Sequence, residues 1–159
     1  MRKRLHRLPP KPWMKATLQA TMKEDTKAMH RVLPDDANGC AKCCMFQFED
    51  EDTGHLMQTD VVCGLLDIEQ CQCTDYANRT TLVPDCIQIT PDNILTLNWM
   101  PESCSYRQLA LGNGLPDWHP LITGDRASTR DTGHSVRGKV VSANDVDDIE
   151  SRIISWFEP

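Results

Sequence analysis

The residues best suited to chemistry in this sequence are its eight cysteines, which all fall between positions 40 and 104. Three of them stand together in the segment Gly39-Cys40-Ala41-Lys42-Cys43-Cys44. Two thiolates separated by two residues can converge on one metal ion, because the turn between them points both sulfurs inward. A glycine before the first cysteine permits a tight turn in which backbone N–H groups face the sulfurs. The other five thiols are Cys63, Cys71, Cys73, Cys86 and Cys104.

Eight thiols exceed the needs of one four-cysteine site. Two ions could bind, or an iron–sulfur cluster, or some of the thiols are structural. For any single cysteine the alternative is a small buried hydrophobic side chain.

Cysteines can stabilise a fold through disulfides or through metal–thiolate bonds, and the compartment decides between them. The first ten residues are basic and contain two prolines, without the apolar run of a secretory signal. No stretch has the roughly 18–20 apolar residues that cross a bilayer. We therefore expect a cytoplasmic protein with reduced thiols, in which cysteine patterns indicate metal binding or catalysis. Adjacent cysteines such as Cys43 and Cys44 also form a disulfide only with strain.

Charge is unevenly distributed along the chain. Residues 1–31 carry nine basic and two acidic side chains, whereas residues 32–159 carry eight basic and twenty-one acidic ones. The basic arm could reach nucleic acid or an anionic membrane surface, or it could be a soluble tail or lie on its own acidic domain. We expect the soluble tail or the intramolecular contact, and no nucleic-acid partner, because an acidic body repels phosphates.

The elements that must position the cysteines are short and irregular. We expect residues 1–12 to be a disordered basic arm and residues 13–159 to form one small α+β domain, with short helices, few strands and long loops around the metal site. The region from Cys40 to Cys104 lacks strong periodicity, which favours loops over a sheet. The patterns predict helices over 13–33, 101–111 and 142–156, and strands over 86–90 and 134–141.

Several further motifs follow the cysteine triplet in a fixed order. They are Phe48–Thr53, Cys63, Cys71-Gln72-Cys73, Pro84–Ile87, Cys104–Arg107 and Leu115–Leu121. Together, over residues 13–157, they resemble the YcgN-type cysteine-cluster family. That family lies within a broader bacterial group described as zinc- or iron-chelating, with a CxxCxxCC signature.

The resemblance implies a ligand set and exposes one departure from the family pattern. The signature's first cysteine corresponds to Ala37, so a four-thiolate site that uses this position cannot form. The site then has another ligand or an open coordination position, unless the first cysteine was never a ligand or the site is degenerate. Cys71 and Cys104 fit only the YcgN-type branch. The ligands implied by the broader signature are Cys40, Cys43, Cys44, Cys63, Cys73 and Cys86.

Oxygen and nitrogen groups are possible accessory ligands. Asp52 belongs to the acidic stretch after the triplet, Asp85 directly precedes Cys86, and His119 lies in the Leu115–Leu121 motif. Such groups mixed with thiolates would favour iron over a pure zinc–thiolate site. The alternatives are a solvated acidic loop for Asp52, a hydrogen-bond acceptor behind a ligand for Asp85, and a packing histidine for His119.

Three classes of function are open at this point. The favoured one is a protein that binds zinc, iron or an iron–sulfur centre for storage, transfer, sensing or electron carriage. The second is a metal-dependent redox enzyme with an open coordination site. The third is a zinc-stabilised domain that binds protein or nucleic acid. Metal content, colour and the effect of chelation on folding distinguish them.

Overall fold

A computed structural model of the protein describes residues 3–5 and 39–155. As predicted, the architecture is α+β with short elements. The strands are β1 (Lys3–Leu5), β2 (Met45–Asp50), β3 (Leu56–Val62), β4 (Leu66–Asp67), β5 (Gln72–Cys73), β6 (Val141–Ser142) and β7 (Ile153–Ile154). The helices are α1 (Arg79–Leu82), α2 (Ser105–Ala110), α3 (Pro120–Thr123) and α4 (Ser128–Asp131). Short 3₁₀ helices span Lys42–Cys44, Ile94–Thr96, Ala143–Asp145 and Glu150–Arg152.

The main sheet is built on the antiparallel hairpin of β2 and β3. β1 pairs antiparallel with the outer edge of β2. The other edge of β3 pairs in parallel with β6 near Val61 and antiparallel with β7 near Thr59. β4 and β5 form a separate two-stranded ribbon directly after β3. The prediction of loops across the cysteine-dense region is therefore wrong, since both central strands lie within it.

Two hydrophobic cores stabilise the domain. The helix-side core contains Ile94, Leu97, Trp99, Met100, Cys104, Leu109 and Ala110. The sheet-side core contains Met45, Val62, Leu66, Cys71 and Val136. Each core includes a cysteine, so the thiols are part of the packing as well as candidate ligands.

The elements predicted downstream of the cysteine triplet have mixed outcomes. The helix expected over 101–111 is present as α2, and Gly112 follows its end with a φ of 79°. Ser142 is a helix cap as expected, but of the short 3₁₀ helix Ala143–Asp145. Its hydroxyl accepts a hydrogen bond from the N–H of Asn144 at 3.2 Å. The long helix expected after Ser142 is wrong, because Ile153 and Ile154 pair with β3 instead.

The two predicted strands are also wrong. Residues 86–90 form no strand; Ile87 and Ile89 pack against the helix-side core, so their alternation reflects packing and not sheet pairing. In the 134–141 segment only Val141 is in a strand. Val136 is fully buried there, and its N–H donates to the carbonyl of Cys40 at 3.0 Å.

The amino-terminal predictions fall mostly outside the described residues. The helix expected over 13–33 lies outside them. Lys3–Leu5 of the basic arm form β1, while the rest of residues 1–12 is not described, so the disordered arm stays a prediction. Within the described part of the chain, no helix combines the length and apolar character needed to span a membrane.

Candidate metal centre

All eight cysteines line one cavity of about 370 Å³. They reach it from the 3₁₀ turn before β2, the end of β3, the β4–β5 ribbon, the segment after α1 and the start of α2. None of the eight forms a disulfide. The fold therefore brings to one cavity cysteine side chains that are up to 64 positions apart in the sequence.

The cysteine triplet adopts the tight turn that its glycine predicts. Gly39 has a φ of 73°, and Ala41 also lies in the left-handed region with a φ of 56°. The N–H of Cys44 donates to the carbonyl of Ala41 at 3.0 Å. The N–H of Cys63 in turn donates to the carbonyl of Cys44 at 2.9 Å, which fixes the end of β3 beside the triplet.

The vicinal cysteines connect the two cores. Cys43 packs against the helix-side core, whereas Cys44 packs against the sheet-side core. Cys104 and Cys71 are buried members of those same two cores. The cavity therefore has cysteines from both cores on its walls, and any ligand shared among them would join one core to the other.

Burial keeps two of these thiols protonated when no metal is bound. It raises the pKa of Cys40 to about 12, which the backbone N–H of Lys42 only partly opposes. It raises the pKa of Cys104 to about 11, against the N–H groups of Arg107 and Tyr106 at the start of α2. The pKa of Tyr106 is raised as well, first by burial and then by nearby Cys43 and Cys104. Thiolate formation here needs a compensating cation, which a metal ion supplies.

Cys71 differs from the other cysteines in its backbone conformation. It is one of two non-glycine residues with positive φ among those described, at 52°, and only 3% of it is exposed. Its thiol donates to the carbonyl of Ile68 at 3.4 Å and lies 3.3 Å from the Ser135 hydroxyl. These contacts describe a packed side chain on the cavity wall.

The thiols share the cavity without meeting at one point. Among the described residues, no three Cys, His, Asp or Glu side chains form a ready-made metal site. The donor set nonetheless fits thiophilic metals, because soft thiolate ligands suit zinc and iron–sulfur clusters. Binding would require the cysteine side chains to rotate toward a common centre.

The three possible accessory residues lie elsewhere. None of Asp52, Asp85 and His119 is among the residues that line the cavity. Asp52 is exposed in the β2–β3 turn, and Asp85 is exposed beside Cys86. His119 caps α3, its Nδ1 accepting a hydrogen bond from the N–H of Leu121 at 3.1 Å. Burial lowers the pKa of His119, so its imidazole is a neutral, packed group.

Other cavity residues were not identified from the sequence. Lys42 lies between the cysteines of the triplet, only 6% exposed, and donates to the Ser103 hydroxyl at 3.0 Å. Arg79, Trp99 and Tyr106 also line the cavity. The position of Lys42 between the cysteines of the triplet is a sequence signal that could have identified it as a cavity residue. Tyr106 lies in the Cys104–Arg107 motif, two residues after a candidate ligand, whereas Arg79 and Trp99 come from segments whose pattern says nothing about the cavity.

The α+β fold and the cysteine-lined cavity define a class of cysteine-cluster proteins. Residues 36–105 match a CxxCxxCC family model described as "Putative zinc- or iron-chelating domain". The UPF0260 protein of Parvibaculum lavamentivorans is 51% identical over 121 residues, covering 75% of this chain and 79% of that protein. The UPF0260 protein of Rhodopseudomonas palustris is 48% identical over 139 residues, covering 86% and 80%. No solved structure matches the chain.

This chain belongs to the UPF0260 family, which confirms the resemblance drawn from its motifs. A third relative, from Caulobacter sp., is 49% identical over 133 residues, covering 81% of this chain and 82% of that protein.

Proposed function

We propose that this protein binds zinc, iron or an iron–sulfur centre in its cysteine-lined cavity, in the reducing bacterial cytoplasm. The observation that supports the proposal is that all eight cysteines line one cavity and none of them forms a disulfide. A group of thiols around one cavity has no evident packing advantage over aliphatic side chains when no metal is bound. Thiophilic metals, by contrast, bind sulfur ligands of this kind.

The leading ligands are the six cysteines of the broader signature. They are Cys40, Cys43, Cys44, Cys63, Cys73 and Cys86. Cys104 is a further candidate at the start of α2. Cys71 is also a candidate, and its thiol would have to leave its contacts with the Ile68 carbonyl and the Ser135 hydroxyl to bind metal.

Bound metal would give the protein a soft, thiolate-ligated centre between its two cores. Such a centre suits storage, transfer, sensing or electron carriage. A second candidate, a metal-dependent redox enzyme, is supported by the size of the cavity, since about 370 Å³ is much more space than one ion needs.

Anaerobic purification followed by metal and acid-labile sulfide analysis tests the proposal. Iron with sulfide and a brown colour would identify a cluster protein. Iron without sulfide would favour the second candidate function, a metal-dependent redox enzyme. Tightly held, colourless zinc whose removal unfolds the chain would indicate a structural site and an interaction role. Protein with reduced cysteines and no metal, even after incubation with iron, sulfide and zinc, would refute metal binding.

Cysteine variants test the ligand assignment. Cys43→Ser and Cys44→Ser each remove a leading ligand, and we expect both to lose most of the bound metal. His55→Ala is the matched control, because His55 is exposed in the β2–β3 turn and does not line the cavity. Full metal occupancy in both cysteine variants would contradict the assignment.

A further inference from the structure

We propose that the cavity holds two metal centres, one at each hydrophobic core, and that each centre has four cysteine ligands of its own. This assignment rests on the proposed function and deepens it, since it places every cysteine in one of two sites. The helix-side set is Cys40, Cys43, Cys86 and Cys104, and the sheet-side set is Cys44, Cys63, Cys71 and Cys73.

Three thiols of the helix-side set are neighbours in the cavity. Cys104 is a buried member of the helix-side core, and Cys43 packs against that core. Burial is the largest cause that raises the pKa of Cys40, and the thiols of Cys43 and Cys104 raise this pKa further. After burial, Cys43 also raises the pKa of Cys104. Because a charged group shifts a pKa in this way from nearby, the three sulfurs lie close to one another.

Cys86 completes the helix-side set from the segment after α1. It lines the cavity, and the next residue in the chain, Ile87, packs against the helix-side core. The N–H of Cys86 donates to the carbonyl of Val83 at 2.8 Å, which helps to fix the backbone of this segment. The helix-side thiols therefore come from three separate parts of the chain that meet at one core.

The sheet-side set is connected by backbone pairing. The N–H of Cys63 donates to the carbonyl of Cys44 at 2.9 Å. Cys73 pairs with Leu66 in the β4–β5 ribbon. Leu66 and Cys71 are members of the sheet-side core, and Cys44 packs against it. Each cysteine of this set is therefore in that core, packs against it, or pairs through its backbone with a residue that does.

Two sets of four thiols match the needs of two closed sites. A structural zinc ion takes four ligands, and an iron–sulfur cluster also takes four cysteine thiolates. The vicinal pair favours two centres over one, because Cys43 and Cys44 pack against different cores and one ion would have to draw both side chains to the same point. Neither set needs the thiol that Ala37 replaces, so the departure from the family signature leaves both sites complete.

Metal counting on the reduced, anaerobic full chain tests the assignment. We expect about two zinc ions per chain after loading with zinc and removal of the excess. Titration with Co²⁺, followed by its thiolate charge-transfer absorption, should reach its end point at about two equivalents. An end point at one ion per chain would overturn the two-centre assignment and leave the proposed function standing. No bound zinc or cobalt would also overturn it, and if reconstitution with iron and sulfide failed too, the proposed function would be refuted with it.

Paired cysteine variants test which thiols share a centre. Cys86→Ser and Cys63→Ser each remove one ligand from a different set, and each variant should retain about one zinc ion. Adding Cys104→Ser to Cys86→Ser stays within the helix-side set and should cost no further zinc, whereas combining Cys86→Ser with Cys63→Ser should abolish binding.

The two double variants carry the same number of substitutions, so equal zinc content in them would overturn the assignment. The variants lie outside the triplet because Cys43 and Cys44 are adjacent in one turn, where the loss of either thiol would disturb both sets. The wild-type count of bound ions does not depend on the folding of any variant, so it tests the assignment even if a variant fails to fold.

Discussion

At the scale of single residues, the buried thiols link protonation to folding. Burial raises the pKa of Cys104 from an ordinary 9.0 to about 11, so the folded protein favours the protonated thiol. A group whose pKa is higher in the folded state contributes stability below its unfolded pKa and loses it as pH rises toward the folded value. In metal-free protein this loss falls between about pH 9 and pH 11.

Metal-free Cys104→Ala should therefore be less sensitive to alkali than the wild type. Between pH 9 and pH 11 we expect the free energy of unfolding to fall more steeply in the wild type than in the variant. The difference between the two slopes should be at most about 1 kcal/mol per pH unit. Urea unfolding of both reduced proteins across this range measures the difference. Parallel pH profiles would show that Cys104 ionises equally well in the folded and unfolded states.

At the scale of elements, the β2–β3 turn depends on one carboxylate. The Asp50 Oδ1 accepts hydrogen bonds from the N–H groups of Thr53 at 2.9 Å and Asp52 at 3.0 Å. The hydrogen bond from Thr53 is the largest cause that lowers the pKa of Asp50 below its ordinary value of 3.8, and the bond from Asp52 acts in the same direction. Since the folded state favours the carboxylate, its stabilising effect is present above pH 3.8 and is lost as pH falls through the lower folded value.

We expect Asp50→Ala to lower the midpoint of thermal unfolding by several degrees at pH 7, because two turn N–H groups lose their acceptor. The difference from the wild type should shrink as pH falls below 3.8. Asp52→Ala is the control, since it removes an exposed carboxylate from the same turn. Equal effects of the two substitutions on the midpoint would contradict a specific role for Asp50.

A second element-scale contact joins the end of β3 to the 3₁₀ helix after β6. The Asn144 Nδ2 donates to the Gly64 carbonyl at 3.2 Å, next to Cys63. A Cβ on Gly64 would lie 2.4 Å from the Asn144 Oδ1, so the amide would have to swing away. We expect Asn144→Ala and Gly64→Ala each to cost roughly 0.5–1 kcal/mol. In urea unfolding the double variant should cost about as much as either alone, whereas additive costs would contradict this contact.

How far the sequence predicts these elements depends on what surrounds each one. The triplet turn and α2 follow from local signals. Gly39, before the first cysteine, allows the turn and has a positive φ, and Gly112 follows the end of α2. The β2–β3 hairpin does not, because polar residues on its strands are buried and break the alternation. Gln47 donates to the Trp99 carbonyl at 3.2 Å, and Thr59 donates to the Phe46 carbonyl at 2.9 Å. Such partners exist only in the folded chain.

The candidate site shows the same division. Cysteine type and spacing predicted metal-binding thiols, with one cluster, two ions or some structural cysteines left open, and all eight thiols line one cavity. The role proposed for His119 depended on where its ring would lie, and the structure places that ring at the start of α3, outside the cavity. Residue chemistry can be seen in a sequence, whereas the surroundings of a side chain are set by long-range packing.

At the scale of the whole molecule, the metal would stabilise the contact between two cores. Cys104 belongs to the helix-side core and Cys43 packs against it, whereas Cys44 packs against the sheet-side core. The β2–β3 hairpin has its own backbone pairing from Met45 to Val62 and does not need the thiols to hold its register. Removing metal should therefore loosen the junction between the cores before it unfolds the sheet.

Hydrogen–deuterium exchange on metal-loaded and chelator-treated protein, both reduced and anaerobic, measures this difference. We expect metal removal to speed exchange at least about tenfold around the triplet, the β4–β5 ribbon and α2, and to leave the central amides of β2 and β3 much less changed. Cys43→Ser should reproduce the chelated pattern without a chelator, and His55→Ala should match the metal-loaded one. If exchange rose equally in the hairpin and the junction, the metal would hold the entire domain together, as in zinc-dependent folds. Unchanged exchange everywhere would mean that metal does not join the cores.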